Sequence, residues 1–138
     1  MDALHISESN IINQTFHNPL GKMNGQDICI ISLKEVSGNG LCCYRQVNDS
    51  DVLVLLEEQD YNEILDETLQ RIRRDFNHIS GVFSINCVFR YLLFSQEHHM
   101  EDYLKTMSTL GEHAGLIGFG EHYNQQFVNQ TMTCVVFE

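Results

Sequence analysis

Three short stretches place polar and charged side chains where apolar strands end: Ser84-Ile85-Asn86-Cys87-Val88-Phe89-Arg90, Gly115-Leu116-Ile117-Gly118-Phe119-Gly120-Glu121, and Asn129-Gln130-Thr131. The guanidinium of Arg90 is a planar fork that matches a carboxylate, and Glu121 supplies the counter-charge for an ammonium group. Asn129 and Thr131 add orienting hydrogen bonds, while Gly118 and Gly120 let a guest approach the backbone closely. With Cys87, these residues form a candidate ligand-binding set for a small zwitterion. The expectation is spatial: Arg90 and Glu121 line one solvent-reachable hollow at neighbouring strand ends. The same types also suit a structural ion pair between Arg90 and Glu121, with Asn129 and Thr131 satisfying a turn.

Other chemistries are less well supplied. Cys87 as a nucleophile would need Arg90 to lower its pKa and His113 or His122 to act as base. A cysteine closing an apolar strand is more often a small core residue, and no oxyanion hole or orienting triad is recognisable. No catalytic residue is assigned. The seven histidines form no HExxH, and the five cysteines form no CxxC, so no metal site is assigned either. Gly115-Leu116-Ile117-Gly118-Phe119-Gly120 is not a GxGxxG loop and no lysine follows it, so no nucleotide or other cofactor is expected.

The elements that must position these residues read as an α+β fold. Residues 1–17 are a polar leader, and the polar, asparagine-rich character continues to residue 26. Ile28-Cys29-Ile30-Ile31 is a continuous apolar run, expected of a strand covered on both faces. Ser37-Gly38-Asn39-Gly40 carries turn chemistry, Leu41–Val47 returns, and Val52–Leu56 completes a three-strand meander. Asp60 with Glu63 opens a helix whose apolar stripe is Tyr61, Ile64, Leu65, Leu69, Ile72 and Phe76. Gly81–Cys87 is a strand, and a second helix covers Met100 to Leu110 with Gly111 as its stop. Strands at Gly115–Gly120 and Thr131–Phe137 follow. The pattern predicts a mainly antiparallel β-sheet with two principal helices packed on one face.

Composition bounds what such a domain can do. A chain of 138 residues fits one domain, able to bury roughly 70% of the surface its unfolded form exposes. Its 43% hydrophobic and 20% charged residues are ordinary for a globular protein. A net charge of −11 disfavours nucleic acid and anionic membrane surfaces, which need a cationic face. The start of the chain has no basic flank or apolar core of a signal peptide. No apolar stretch reaches the roughly 20 residues of a membrane helix, so membrane insertion is not expected. An odd cysteine count, mostly in apolar runs, suits reduced thiols and a cytoplasmic location.

The order of motifs resembles one family. A strand ending in Cys87-Val88-Phe89-Arg90, a helix, the strand end Gly118-Phe119-Gly120-Glu121, and Asn129-Gln130-Thr131 before a closing apolar strand are similar to the FIST C-terminal domain. Pro19-Leu20-Gly21 resembles that family's opening, and the likeness spans residues 18–138. Val88 and Phe89 stand where the family often has a glycine, and the second motif is shorter than the family pattern. The resemblance implies a non-catalytic intracellular sensory domain that binds small ligands such as amino acids and is attached to a signalling output protein or domain. It also implies an N-terminal half, which these residues do not contain. The alternative from another class is a protein-interaction or dimerisation module without a small-molecule ligand.

Overall fold

The computed structural model describes residues 5–123 and 126–138. Residues 1–4 of the predicted leader lie outside that set. The chain divides into two compact units, residues 1–58 and 59–138.

The first unit begins with a 3-10 turn, Glu8–Asn10, and helix α1, Ile11–Gln14, followed by strands β1 (Leu20–Asn24), β2 (Asp27–Ile31), β3 (Leu33–Ser37), β4 (Gly40–Cys43) and β5 (Leu53–Leu55). One antiparallel sheet has the order β2-β1-β5, and β3 and β4 form a separate hairpin. Gly38, at φ +56°, sits in the turn that joins Ser37 to Gly40, as the turn chemistry predicts. The expected meander does not form, because β5 pairs with β1 rather than with the hairpin. Periodicity gives no sign of β1, whose Leu20-Gly21-Lys22-Met23-Asn24 alternates weakly. Burial also differs from expectation along β2: Ile31 is fully buried, whereas Ile28 is half exposed. A continuous apolar run therefore marks an edge strand here. Thr15 is buried and its Oγ1 accepts from the Leu33 amide at 2.9 Å, tying α1 to β3.

The second unit holds helix α2 (Tyr61–Asp75), β6 (Gly81–Cys87), α3 (Val88–Gln96), α4 (Met100–Ser108), β7 (Glu112–Gly118), β8 (Glu121–Tyr123), β9 (Gln126–Val128) and β10 (Met132–Phe137). Asp60 caps α2 by accepting from the amides of Asn62 (2.8 Å) and Glu63 (3.2 Å). Of the predicted stripe, Leu65, Leu69 and Ile72 are buried. A three-stranded sheet has the order β10-β6-β7, with β10 antiparallel and β7 parallel to β6, and β8 and β9 form a hairpin. Among the described residues most pairings are antiparallel, so the α+β reading holds, and β6·β7 is the parallel exception.

Helix α3 lies where sequence reasoning sees only a strand end. Val88-Phe89-Arg90-Tyr91-Leu92-Leu93-Phe94 carries three aromatic residues and one β-branched residue, types with modest helix propensity. Burial of Leu93 and Phe94 overrides it. Helix α2 packs on its neighbours through Tyr61 against Phe94, with ring centroids 4.9 Å apart, and through Arg73 Nη2 donating to Thr109 Oγ1 at 2.6 Å. Gly111 follows α4 at φ +145°, where a side chain would press on the Ile79 carbonyl.

Candidate functional site

Strand β6 sorts its residues by parity, since successive side chains point to opposite faces. Val82, Ser84 and Asn86 are all buried on one face. Across the strand pairings they share that face with His113, Gly115 and Ile117 of β7 and with Met132 of β10. Helix α4 covers it. The hydroxyl of Tyr103, itself 1% exposed, accepts from Asn86 Nδ2 at 2.7 Å, donates to Met132 Sδ at 3.2 Å, and lies 3.3 Å from Ser84 Oγ. Ser84 Oγ is also 2.9 Å from His113 Nε2. Burial pushes the His113 pKa below its ordinary value, because the charged imidazolium loses more hydration than the neutral ring.

This polar floor is roofed by a hollow of about 290 Å3. Tyr91, Met100 and Leu104 line it from the helices, and Ile117 lines it from β7. Gly115 keeps the floor open, since a Cβ there would collide with the Ser84 carbonyl and hydroxyl. One floor atom is unsatisfied: Asn86 Oδ1 is buried with no hydrogen-bond partner among the described residues. Such groups are rare in folded proteins, and each calls for an explanation.

Arg90 sits in the first turn of α3. Its guanidinium stacks 4.7 Å from the Phe94 ring centroid and 5.3 Å from that of Tyr103, a cation–π arrangement. Burial lowers its pKa from the ordinary arginine value. It makes no ion pair among the described residues.

The opposite face of β6 carries Phe83, Ile85 and Cys87, paired with Ala114, Leu116 and Gly118 of β7. Glu121 lies here, 2% exposed. A Cβ on Gly118 would come within 3.1 Å of Glu121 Oε1 and 3.2 Å of Ile85 Cγ2, which explains the glycine. Thr131 Oγ1 donates to Glu121 Oε2 at 3.3 Å, and the Cys87 thiol is hydrogen-bonded to the same carboxyl. Oε1 is buried and unpartnered among the described residues. Burial lifts the pKa of both Glu121 and Cys87, because each group loses more hydration when charged. Asn129 is buried beyond β9, and Gly120, at φ +148°, leaves no room for a side chain against the Phe127 ring.

The predicted residues thus separate. Cys87, Gly118, Glu121 and Thr131 meet in one cluster, with Gly120 and Asn129 at the same end of the sheet. The Arg90 guanidinium lies with Tyr103 on the other face, so it and Glu121 do not line a common hollow. Ser84, Asn86, Tyr103 and His113 were not among the predicted site residues. Their signal is present in retrospect: polar residues two apart in an apolar strand, opposite a tyrosine that a helical stripe counts as core.

The second unit thus combines α and β elements with a hollow over a floor of side-chain hydrogen bonds. The FIST C domain family matches residues 2–124, and the chain belongs to that family, one of sensory-type signalling domains. No curated protein and no solved structure matches it significantly. No helix among the described residues is long and apolar enough to cross a membrane.

Proposed function

We propose that this chain is a non-catalytic, cytoplasmic sensory domain that takes a small ligand into the hollow above Asn86 and relays occupancy to a signalling output protein or domain. One observation carries the reading: a hollow of about 290 Å3 lies between the helices and β7, over the hydrogen-bonded cluster of Ser84, Asn86 and Tyr103. That volume is close to the lower end of ligand pockets, roughly 300–1,000 Å3, and its walls are mostly apolar. Ligand would favour one arrangement of α4 over β7, and differential affinity for two arrangements is all that relay requires. Five free cysteines suit a reducing compartment.

The non-catalytic reading rests on the state of the strongest nucleophile. Cys87 is 1% exposed, faces a carboxyl rather than a cation, and lies on the opposite face from His113. Each feature opposes thiolate formation. The amino-acid form of the ligand expectation depended on Arg90 and Glu121 meeting, and that clamp is not part of the proposal.

A thermal-shift screen of small metabolites tests the reading. A ligand at 100 times its Kd adds about 2.7 kcal/mol of stability, which Leu104→Trp, filling the hollow, removes. A screen without any shift overturns it in favour of a protein-interaction or dimerisation module. That second reading has its own support, since β7 is an edge strand whose Leu116 and Ile117 are exposed and Phe119 is 88% exposed. Concentration-dependent sedimentation would then be expected.

A further inference from the structure

Arg90 is a partly buried charge without a counter-charge. Its guanidinium lies over two rings that are each 1% exposed, 4.7 Å from the centroid of Phe94 and 5.3 Å from that of Tyr103. We infer that Arg90 is the receptor for a small monocarboxylate, which it takes up through the in-plane edge of its guanidinium. This site goes beyond the hollow over Ser84 and Asn86, which Arg90 does not line. Taking an ion out of water is costly unless an opposite charge or hydrogen bonds replace the lost hydration. The two rings replace only part of it, through the cation–π attraction. Among the described residues Arg90 has no ion pair and no hydrogen-bond acceptor, and the pull of burial on its pKa is opposed only by Tyr103. Acids of the same unit are engaged elsewhere. Glu121 accepts from Thr131 on the other face of the sheet, and Glu97, at the end of α3, accepts from Tyr61 Oη at 2.5 Å. None of the Arg90 nitrogens is sealed from solvent, unlike Asn86 Oδ1 and Glu121 Oε1.

The arrangement also selects among anions. The rings hold the faces of the guanidinium, so the donors left for a guest lie along its edge, in one plane. The two oxygens of a carboxylate match that edge as a bidentate pair. One guanidinium balances one negative charge, whereas a phosphate monoester near neutral pH carries about −1.5 to −2. An ammonium group on the same guest would stand beside a cation and meet no acid, since Glu121 is on the other face with Gly118 and Ile85. A carboxylate without an amine is therefore favoured over a zwitterion. Stacking has already fixed the side chain, so little of its freedom is lost on binding.

A matched series separates charge from shape. Binding of 4-methylpentanoate (anion), 4-methylpentanamide (neutral), leucine (zwitterion) and inorganic phosphate is measured by calorimetry on the full chain at constant ionic strength. The carboxylate is expected to bind, with the other three each at least about tenfold weaker. Arg90→Lys keeps the charge but loses the fork, and should weaken the carboxylate about tenfold. Arg90→Gln should abolish its binding, whereas Leu104→Trp, which fills the hollow, should leave it unchanged. A second readout covers the case in which Arg90→Gln fails to fold: in 15N spectra of the wild type, 4-methylpentanoate should move one arginine Nε–H resonance, the one absent from Arg90→Lys. Amide, leucine or phosphate binding as tightly as the carboxylate overturns the inference. So does carboxylate binding that survives Arg90→Gln, is lost in Leu104→Trp, or leaves that resonance in place. Silence from the whole series overturns it too. The sensory reading of the hollow stands or falls separately, on the metabolite screen.

Discussion

Ser84 and Asn86 on one side of β6, and Ile85 and Cys87 on the other, are sequence neighbours in different surroundings. The helix-covered face is a hydrogen-bonded floor in which Ser84, Asn86, Tyr103 and Met132 are joined within 3.3 Å. The other face ends in a buried acid and thiol, and beyond them it is exposed and apolar, with Leu116, Val135 and Phe137 each about half exposed. What separates them is strand parity, a shift of one residue. The lesson concerns charges: a residue's partner is decided by the face it reaches, and Arg90 and Glu121 reach different ones.

The comparison predicts unequal sensitivity, largest first. Phe94→Ala removes a ring that is 1% exposed and packs on Tyr61, His99 and Tyr103 while carrying the Arg90 guanidinium. It should cost about 3–5 kcal/mol in urea unfolding, a large share of the roughly 5–15 kcal/mol of a typical domain. Tyr103→Phe keeps the ring but strands the Asn86 amide, and about 1–3 kcal/mol should be lost. A loss as large as that of Phe94→Ala would mean that the polar floor, not the rings, dominates this face.

Acid titration sharpens the contrast, because the two faces respond with opposite sign. Glu121 holds its proton more tightly when folded, its pKa being raised. Its contribution is complete below the ordinary Glu value of about 4.3 and is lost as pH rises through the folded value. His113 is the reverse, its pKa being lowered. Its contribution is complete above about 6.5 and is lost as pH falls toward the folded value. Urea midpoints at about pH 4, 6 and 8 should show wild type losing ground to Glu121→Gln on going up from the acid end. Below neutrality it should lose ground to His113→Gln on going down. Parallel curves for wild type and both variants would contradict the burial of these groups. The smallest effect belongs to the open face: Leu116→Ser should change stability by no more than about 0.5 kcal/mol. A larger loss would reveal that something covers this surface.

Much of this was legible in residue order, and the exceptions have physical causes. The Asp60 cap, the buried side of α2, the Gly38 turn, β6 and the Gly111 stop all follow from local chemistry, which neighbouring residues settle among themselves. Helix α3 and the pairing of β5 with β1 do not. The first is set by burial of Leu93 and Phe94, the second by competition among strands for one partner. Of the residues singled out in the sequence, Cys87, Glu121 and Thr131 do meet, Arg90 lies apart from them, and Tyr103 read only as core.

Sequence alone determined the α+β class, the acidic character and the family, because composition, periodicity and motif order are properties of the chain itself. Tertiary structure alone decided which polar groups share a space. The parallel register of β6 and β7 puts Cys87 opposite Gly118 and Asn86 opposite Ile117. Arg90, in the first turn of α3, stacks on Phe94 and Tyr103, whereas Glu121, opening β8, lies beside Gly118, so two charges close in the motif pattern end in different surroundings.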